Sequence, residues 1–124
     1  MRRSMLMMAF LLPLTACGGD SVRAEPNVQS TDEGLATWYG ERHQGKRTAS
    51  GERFDLNKLT AAHRTLPFGT RVRVVHLRSG KSVVVRINDR KGKGALIDLS
   101  KAAAHRIGLV REGRASVRLE VLGR

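Results

Sequence analysis

The chain of 124 residues has little of what stabilises many small exported domains: one cysteine, one Trp, one Tyr and three Phe. The single cysteine, Cys17, excludes disulfides within the chain and metal sites built from several cysteines. His43, His76 and His105 are scattered without the spacing of metal ligands, so neither a metal site nor another cofactor is predicted. No apolar run reaches the roughly 20 residues that a membrane-spanning helix needs.

What is present begins with an export signal. Two arginines follow the first methionine, and the apolar stretch 5–14 with small residues after it is typical of a secretory signal. Leu14 to Cys17 resembles a bacterial lipobox. Residues 1–16 are therefore predicted to be removed, and Cys17 to carry acyl chains that anchor the protein to a membrane. Gly18 favours the outer membrane, facing the periplasm. An ordinary signal peptide with a chance cysteine is the alternative.

The rest of the chain predicts a tether and one domain. Residues 17–33 are polar and small and read as a flexible tether, while 34–124 suffice for a single compact domain, expected to be monomeric. That domain has 20 Lys or Arg against 7 Asp or Glu. Such an excess favours a polyanionic neighbour, and for an exported protein this indicates cell-wall peptidoglycan rather than nucleic acid.

Short alternating segments predict a mainly β domain. Strands are expected at 35–39, 71–77, 82–87, 96–98 and 117–121. One helix is expected at 101–107, with Ser100 as its N-cap and Gly108 just past its end. Many short strands with one small helix suit a closed barrel, which leaves no exposed sheet edge.

Asp89 is the first candidate for chemistry. It directly follows the β-branched run 83–87, so its carboxyl is expected at the end of a strand beside apolar walls, where burial would raise its pKa. The alternative is that Asn88 and Asp89 form an ordinary turn. Glu52 and His63 are further candidates, with a solvated loop acid and a buried structural histidine as their alternatives.

Five segments in order resemble the rare lipoprotein A family: 34–40, 48–52, 60–70, 84–90 and 97–103. The resemblance covers residues 34–122. It implies a six-stranded double-psi β-barrel with one or two short helices, related in fold to expansins and to the barrel of membrane-bound lytic transglycosylase A. It also implies a cleft lined by Glu52, His63 and Asp89, with Asp89 as the central acid.

That resemblance implies an endolytic or exolytic lytic transglycosylase that cleaves MurNAc-GlcNAc β-1,4 bonds and leaves 1,6-anhydromuramic ends. Hydrolytic glycosidases usually need two carboxylates. Here the muramic C6 hydroxyl attacks, so Asp89 alone can act first as acid and then as base. His63 would orient Asp89, and Glu52 would bind sugar hydroxyls or stabilise the oxocarbenium-like state. The alternatives are a non-catalytic, expansin-like wall-binding or wall-loosening lipoprotein and a structural envelope protein.

Four side chains are candidates for substrate binding. Arg86 and Arg90 flank Asp89 and suit muramyl carboxylates, although Arg86 could instead face solvent or pair with Asp98, which is predicted to be structural. Trp38 and Tyr39 could stack on sugar rings. Neighbours on a strand point to opposite faces, so at most one of the two should face the cleft.

The segment after Arg90 departs from the family pattern. Relatives continue with Gly-Pro and a longer loop, whereas this chain has Lys-Gly-Lys-Gly-Ala at 91–95. The cleft wall beside Asp89 is therefore altered, and a cationic loop favours anionic glycan.

Overall fold

The computed structural model describes residues 28–124. Six strands close into a barrel, as predicted, and their order around it is β1-β5-β2-β4-β3-β6. The strands are β1 Ser30–Tyr39, β2 Thr60–His63, β3 Arg71–His76, β4 Ser82–Asp89, β5 Ile97–Ser100 and β6 Ala115–Gly123. The helices are α1 Lys101–Arg106 and α2 Leu109–Glu112, with a short 3-10 turn at Glu41–His43. The predicted signal peptide, Cys17 and tether residues up to 27 lie outside the described residues.

The barrel mixes parallel and antiparallel pairs. β1 and β5 run parallel, as do β2 and β4, and the other four pairs are antiparallel. Alternate residues of β3 and β4 fill the interior, where Val72, Val74, Val85 and Ile87 are at most 1% exposed. Helix α1 closes one side of this core with Ala103 and Ala104.

The predicted helix cap is confirmed. Ser100 Oγ accepts a hydrogen bond from the Ala103 amide at 3.2 Å, and its hydroxyl donates to the carbonyl of Lys58 at 2.6 Å. Gly108 has φ +77°, a left-handed conformation that ends α1 and begins α2. No helix within residues 28–124 is long and apolar enough to cross a membrane.

Two elements differ from the sequence prediction. The barrel begins at Ser30, four residues before the predicted boundary at Gly34, because 30–33 pair with β6. Those residues are polar and exposed, so only the backbone pairing shows that they belong to the sheet. Strand β2 was not predicted, since all four of its residues are buried and no alternation marks it.

Candidate active site

A bulge in β4 determines where Asp89 points. Simple alternation along the strand would send Asp89 into the core beside Ile87. The register shifts instead: Ile87 pairs with Ala61 and Asp89 pairs with the next residue, Ala62, which leaves Asn88 as the extra residue. Bulges re-aim side chains in this way, and Asp89 is turned to the outer face of the barrel.

On that face Asp89 lines a cavity of about 260 Å³, called here the Asp89 cavity. Its lining consists of Tyr39, His43, Ala62, Asp89, Arg90, Lys91, Gly92, Lys93 and Asp98. Two carboxylates therefore face a cationic loop across a small opening. Asp89 ends β4, which confirms its predicted place at a strand terminus.

Backbone groups hold one oxygen of the Asp89 carboxyl. Oδ1 accepts hydrogen bonds from the amides of Ala49 and Arg90, both at 2.9 Å. Within residues 28–124 both bonds to this side chain fall on Oδ1, so Oδ2 is left for a ligand. Asp89 is half-buried, a setting in which a carboxyl can reach a substrate without lying open to bulk water.

Glu52 lies beside β4 but does not line the Asp89 cavity. Arg86 donates two hydrogen bonds to its carboxylate, each at 2.8 Å, and Asn88 Nδ2 donates a third at 3.2 Å. The bonds from Arg86 lower the pKa of Glu52 to about 2. The same pairing raises the pKa of Arg86, whose partner is thus Glu52 and not Asp98.

His63 lies on the opposite face of β2 from Ala62 and lines a second cavity, of about 380 Å³, with Asp32, Arg64 and Leu96 among its walls. Its Nδ1 accepts from the amides of Thr65 and Leu66, both at 3.1 Å. Amides only donate, so the ring proton of neutral His63 is on Nε2. Burial, then the charge of Arg90, lowers the pKa of His63.

Tyr39 is one of the residues that line the Asp89 cavity. Its ring stacks on Phe54 with centroids 4.6 Å apart, and His43 packs edge-on at 5.0 Å. Within the described residues the buried hydroxyl has no hydrogen-bond partner. Burial raises the pKa of Tyr39, and the charges of Asp89 and Asp98 add to the effect. The hydroxyl of Tyr39 is thus buried near Asp89 and Asp98, while its ring is used in internal packing.

Trp38 and Arg90 have different surroundings. Trp38 packs against the core on the other face of β1, so one of the two neighbouring aromatic residues faces the cavity, in agreement with the prediction. Arg90 lies 4.1 Å above the Phe68 ring and donates to the carbonyls of Leu66 at 2.8 Å and His63 at 3.3 Å. The guanidinium of Arg90 therefore stabilises the turn after β2 by hydrogen bonds.

The cationic loop forms the outer lip of the cavity. Lys91 Nζ donates to the carbonyls of Gly92 at 3.1 Å and Lys93 at 3.4 Å. The ammonium of Lys91 is thus bound to its own loop, while Lys93 is exposed. Among residues 28–124 no group of three or more His, Asp or Glu is arranged to hold a metal ion.

Asp98 also lines this cavity, although sequence reasoning identified it as structural. It lies between the buried residues Ile97 and Leu99 of β5 and accepts a hydrogen bond on Oδ1 from the hydroxyl of Thr37. Alternation along β5 was a usable signal. Because Ile97 and Leu99 face the core, Asp98 must face outward, together with Ala62.

Comparison with known proteins agrees with this architecture. The family profile described as lytic transglycolase matches residues 31–119, and the predicted double-psi barrel is confirmed. The probable endolytic peptidoglycan transglycosylase RlpA of Synechocystis sp. is 54% identical over 101 residues, which cover 80% of this chain and 32% of that protein. The endolytic peptidoglycan transglycosylase RlpA of Neisseria meningitidis serogroup B is 50% identical over 95 residues, 75% of this chain and 40% of that protein.

The chain thus spans about a third to two-fifths of the length of these curated relatives. Among solved structures, the Streptomyces papain inhibitor superposes with a TM-score of 0.63, covering 77% of this chain and 96% of that one at 21% identity. A likeness at that level of identity shows a shared fold alone.

Proposed function

This chain belongs to the lytic transglycolase family, and from that membership we propose that its barrel cleaves MurNAc-GlcNAc β-1,4 bonds of peptidoglycan, with Asp89 as its acid and base. One observation carries the proposal. Of the three residues predicted to serve catalysis, only Asp89 lines the Asp89 cavity, and it has an oxygen free for a ligand.

The chemistry needs one proton carrier. Protonated Asp89 donates its proton to the glycosidic oxygen, and the bond from C1 to that oxygen breaks. The C6 hydroxyl of the same muramyl ring then attacks C1 and gives its proton to the Asp89 carboxylate. No water is consumed, the acid is regenerated, and the product has a 1,6-anhydro end.

Glu52 is unsuited to the role of acid. A carboxyl with a pKa of about 2 is ionised at neutral pH and has no proton to donate. In the proposal Glu52 is a positioning residue: with Arg86 it fixes the loop 48–52, and the Ala49 amide of this loop holds Asp89.

His63 acts through Arg90 in the same way. The His63 ring fixes the turn after β2 by its two bonds from backbone amides. Carbonyls of this turn hold the Arg90 guanidinium, and the Arg90 amide holds Asp89 Oδ1. His63 therefore orients the acid from the far side of β2.

The test uses purified protein and peptidoglycan sacculi, with and without stem peptides, followed by mass spectrometry of the products. Anhydromuropeptides are expected from the wild type. Asp89→Asn should lower their rate of release by about 10²–10⁴-fold, since one residue serves as both acid and base. Full activity of a folded Asp89→Asn variant would contradict the assignment of Asp89 as acid and base. Products with reducing muramic ends would mean that the bond is cleaved by hydrolysis.

A binding assay with sacculi distinguishes cleavage of the glycan from adhesion to it. Asp89→Asn removes one negative charge from a basic domain, so the variant should bind sacculi at least as well as the wild type. If the wild type binds but releases no fragments, the protein is a wall-binding module of the expansin-like kind.

We also propose that acyl chains on Cys17 anchor the protein to the outer membrane, facing the periplasm. The lipobox-like segment 14–17 and the Gly at position 18 support this. Cys17→Ser should move the protein to the soluble fraction, because acylation needs the thiol. A variant that still partitions with membranes after a high-salt wash would contradict the anchor, and wild-type protein in the inner membrane would contradict the destination.

A further inference from the structure

Residues of four neighbouring strands lie side by side at the Asp89 cavity. Thr37 on β1 pairs with Asp98 on β5. Ala62 on β2 pairs with Asp98 on one side and with Asp89 of β4 on the other. Because paired residues point to the same face of a sheet, the two carboxylates flank the methyl group of Ala62.

Ala62 lies between the two carboxylates at the base of the cavity, where it is 3% exposed. Two strand spacings separate the Asp89 and Asp98 backbones, roughly 9.5 Å between Cα atoms. Ala62 brings only a methyl group to the floor, and all three residues line the same cavity. A sugar ring has an apolar face and polar edges, so a slot with an apolar floor and acidic walls matches its shape and chemistry.

The two carboxylates of the slot differ from the glutamates of the barrel. Four glutamates form ion pairs with basic side chains: Glu41, Glu52, Glu112 and Glu120. Within residues 28–124 neither Asp89 nor Asp98 is in an ion pair, although the chain has 23 Lys and Arg. Lys91 and Lys93 line the same cavity without a direct ion pair to either carboxylate, so both carboxylates can still contact a ligand.

Thr37 fixes the direction of the second carboxylate. Its hydroxyl donates to Asp98 Oδ1, and this is the bond to the Asp98 carboxylate found among the described residues. Oδ2 of Asp98 thus has no hydrogen bond within residues 28–124, and the same is true of Oδ2 of Asp89. Each of the two carboxylates has one bonded oxygen and one oxygen that is available to a ligand.

We propose that one muramyl ring of the glycan lies over Ala62 between the two carboxylates, and that Asp98 stabilises the positive charge that develops at C1 as the glycosidic bond breaks. This inference rests on the proposed transglycosylase function. Asp98 forms no bond and takes no proton, because the proton passes between Asp89 and the two sugar oxygens. A fixed carboxylate in a partly enclosed site stabilises such charge better than water does.

The first test is Asp98→Asn, assayed on soluble glycan strands of defined length by the release of anhydromuramic ends. Since the interaction develops only in the transition state, kcat should fall about 10²-fold while KM stays within about twofold of wild type. Glu33→Gln is the control. It removes a charge of the same sign from an exposed position of β1 outside the cavity, and wild-type kcat is expected.

A second variant tests the floor of the slot. Ala62→Val keeps a residue that suits a strand but adds bulk between the carboxylates. It should raise KM by about tenfold or more, equivalent to about 1.4 kcal/mol of lost binding, with an unchanged circular dichroism spectrum. An unchanged KM would mean that the sugar binds elsewhere.

The outcomes separate this inference from the proposed function. A wild type that releases no anhydromuramic ends contradicts the function itself. If the wild type cuts and folded Asp98→Asn keeps full kcat, only the role of Asp98 is wrong. If Asp98→Asn does not fold, Thr37→Val and Thr37→Ser decide: a lower kcat in the valine variant that serine restores supports the role of Asp98, and equal rates contradict it.

Discussion

The two ends of β4 differ in whether certain buried polar groups near them have hydrogen-bond partners. At its start, the hairpin end, Glu112 bonds both His76 Nε2 and Arg78, and His76 Nδ1 accepts from the Ser79 amide. At its finish, the cavity end, the Tyr39 hydroxyl has no partner within the described residues, and the same holds for Asn88 Oδ1.

This difference separates stability from function. A buried polar group that is hydrogen-bonded contributes to stability, whereas an unpaired one lowers the free energy of unfolding. Unpaired groups persist where a ligand will bind them or where activity needs them. Changes at the hairpin end should therefore lower stability without lowering turnover, and changes to the unpaired groups at the cavity end should do the reverse.

The largest effect on stability is expected from Glu112→Ala. The variant leaves the buried Nε2–H of His76 without its protein acceptor, and the free energy of unfolding should fall. Urea unfolding measures this loss, and the rate of glycan cleavage per folded molecule should not change. Glu112→Gln, which retains an acceptor for His76, should lose less than half as much. A large loss of turnover in Glu112→Ala would contradict the view that the hairpin end serves stability and the cavity end serves function.

Glu52→Gln should have an intermediate, pH-dependent effect. The pKa of Glu52 is lowered from 4.5 to about 2 in the folded protein. Its ionised form is thus favoured by folding, so this stabilisation is present above pH 4.5 and is lost as the pH falls toward 2. At pH 7 the partly exposed pair with Arg86 should be worth about 1 kcal/mol.

Unfolding at several pH values tests this. The difference in unfolding free energy between wild type and Glu52→Gln should shrink steadily from pH 5 to pH 2. Arg86→Met removes the same pair from the other side and should give the same trend. A difference that stays constant over this range would show that the pair with Arg86 does not perturb Glu52.

Local signals predicted some of these features and could not predict others. Ser100 as a helix cap and Asp89 at a strand end follow from the few residues around each. The bulge at Asn88 does not, because it arises from pairing with β2, which is distant in sequence. The pairing of Glu52 with Arg86 likewise joins residues 34 positions apart. Without it, the sequence does not show that the carboxyl of Glu52 is held in an ion pair.

The smallest effect on stability, and the clearest on function, is expected from Tyr39→Phe. The change removes a buried hydroxyl that has no partner while keeping the ring that stacks on Phe54. The free energy of unfolding should therefore stay the same or rise by up to about 1 kcal/mol. Glycan cleavage should fall several-fold, because the variant loses the one buried hydroxyl that lies near both Asp89 and Asp98 among the described residues.

Thr60→Val is the matched control for this last prediction. Thr60 Oγ1 is also buried without a partner, but Thr60 does not line the Asp89 cavity. Its replacement by the similarly shaped valine should be equally neutral or stabilising, and cleavage should continue at the wild-type rate. If Thr60→Val and Tyr39→Phe slow cleavage to the same extent, the Tyr39 hydroxyl has no special place in the cavity. If Tyr39→Phe instead destabilises the fold by 1 kcal/mol or more, its hydroxyl is paired in solution and the comparison of the two ends fails at this residue.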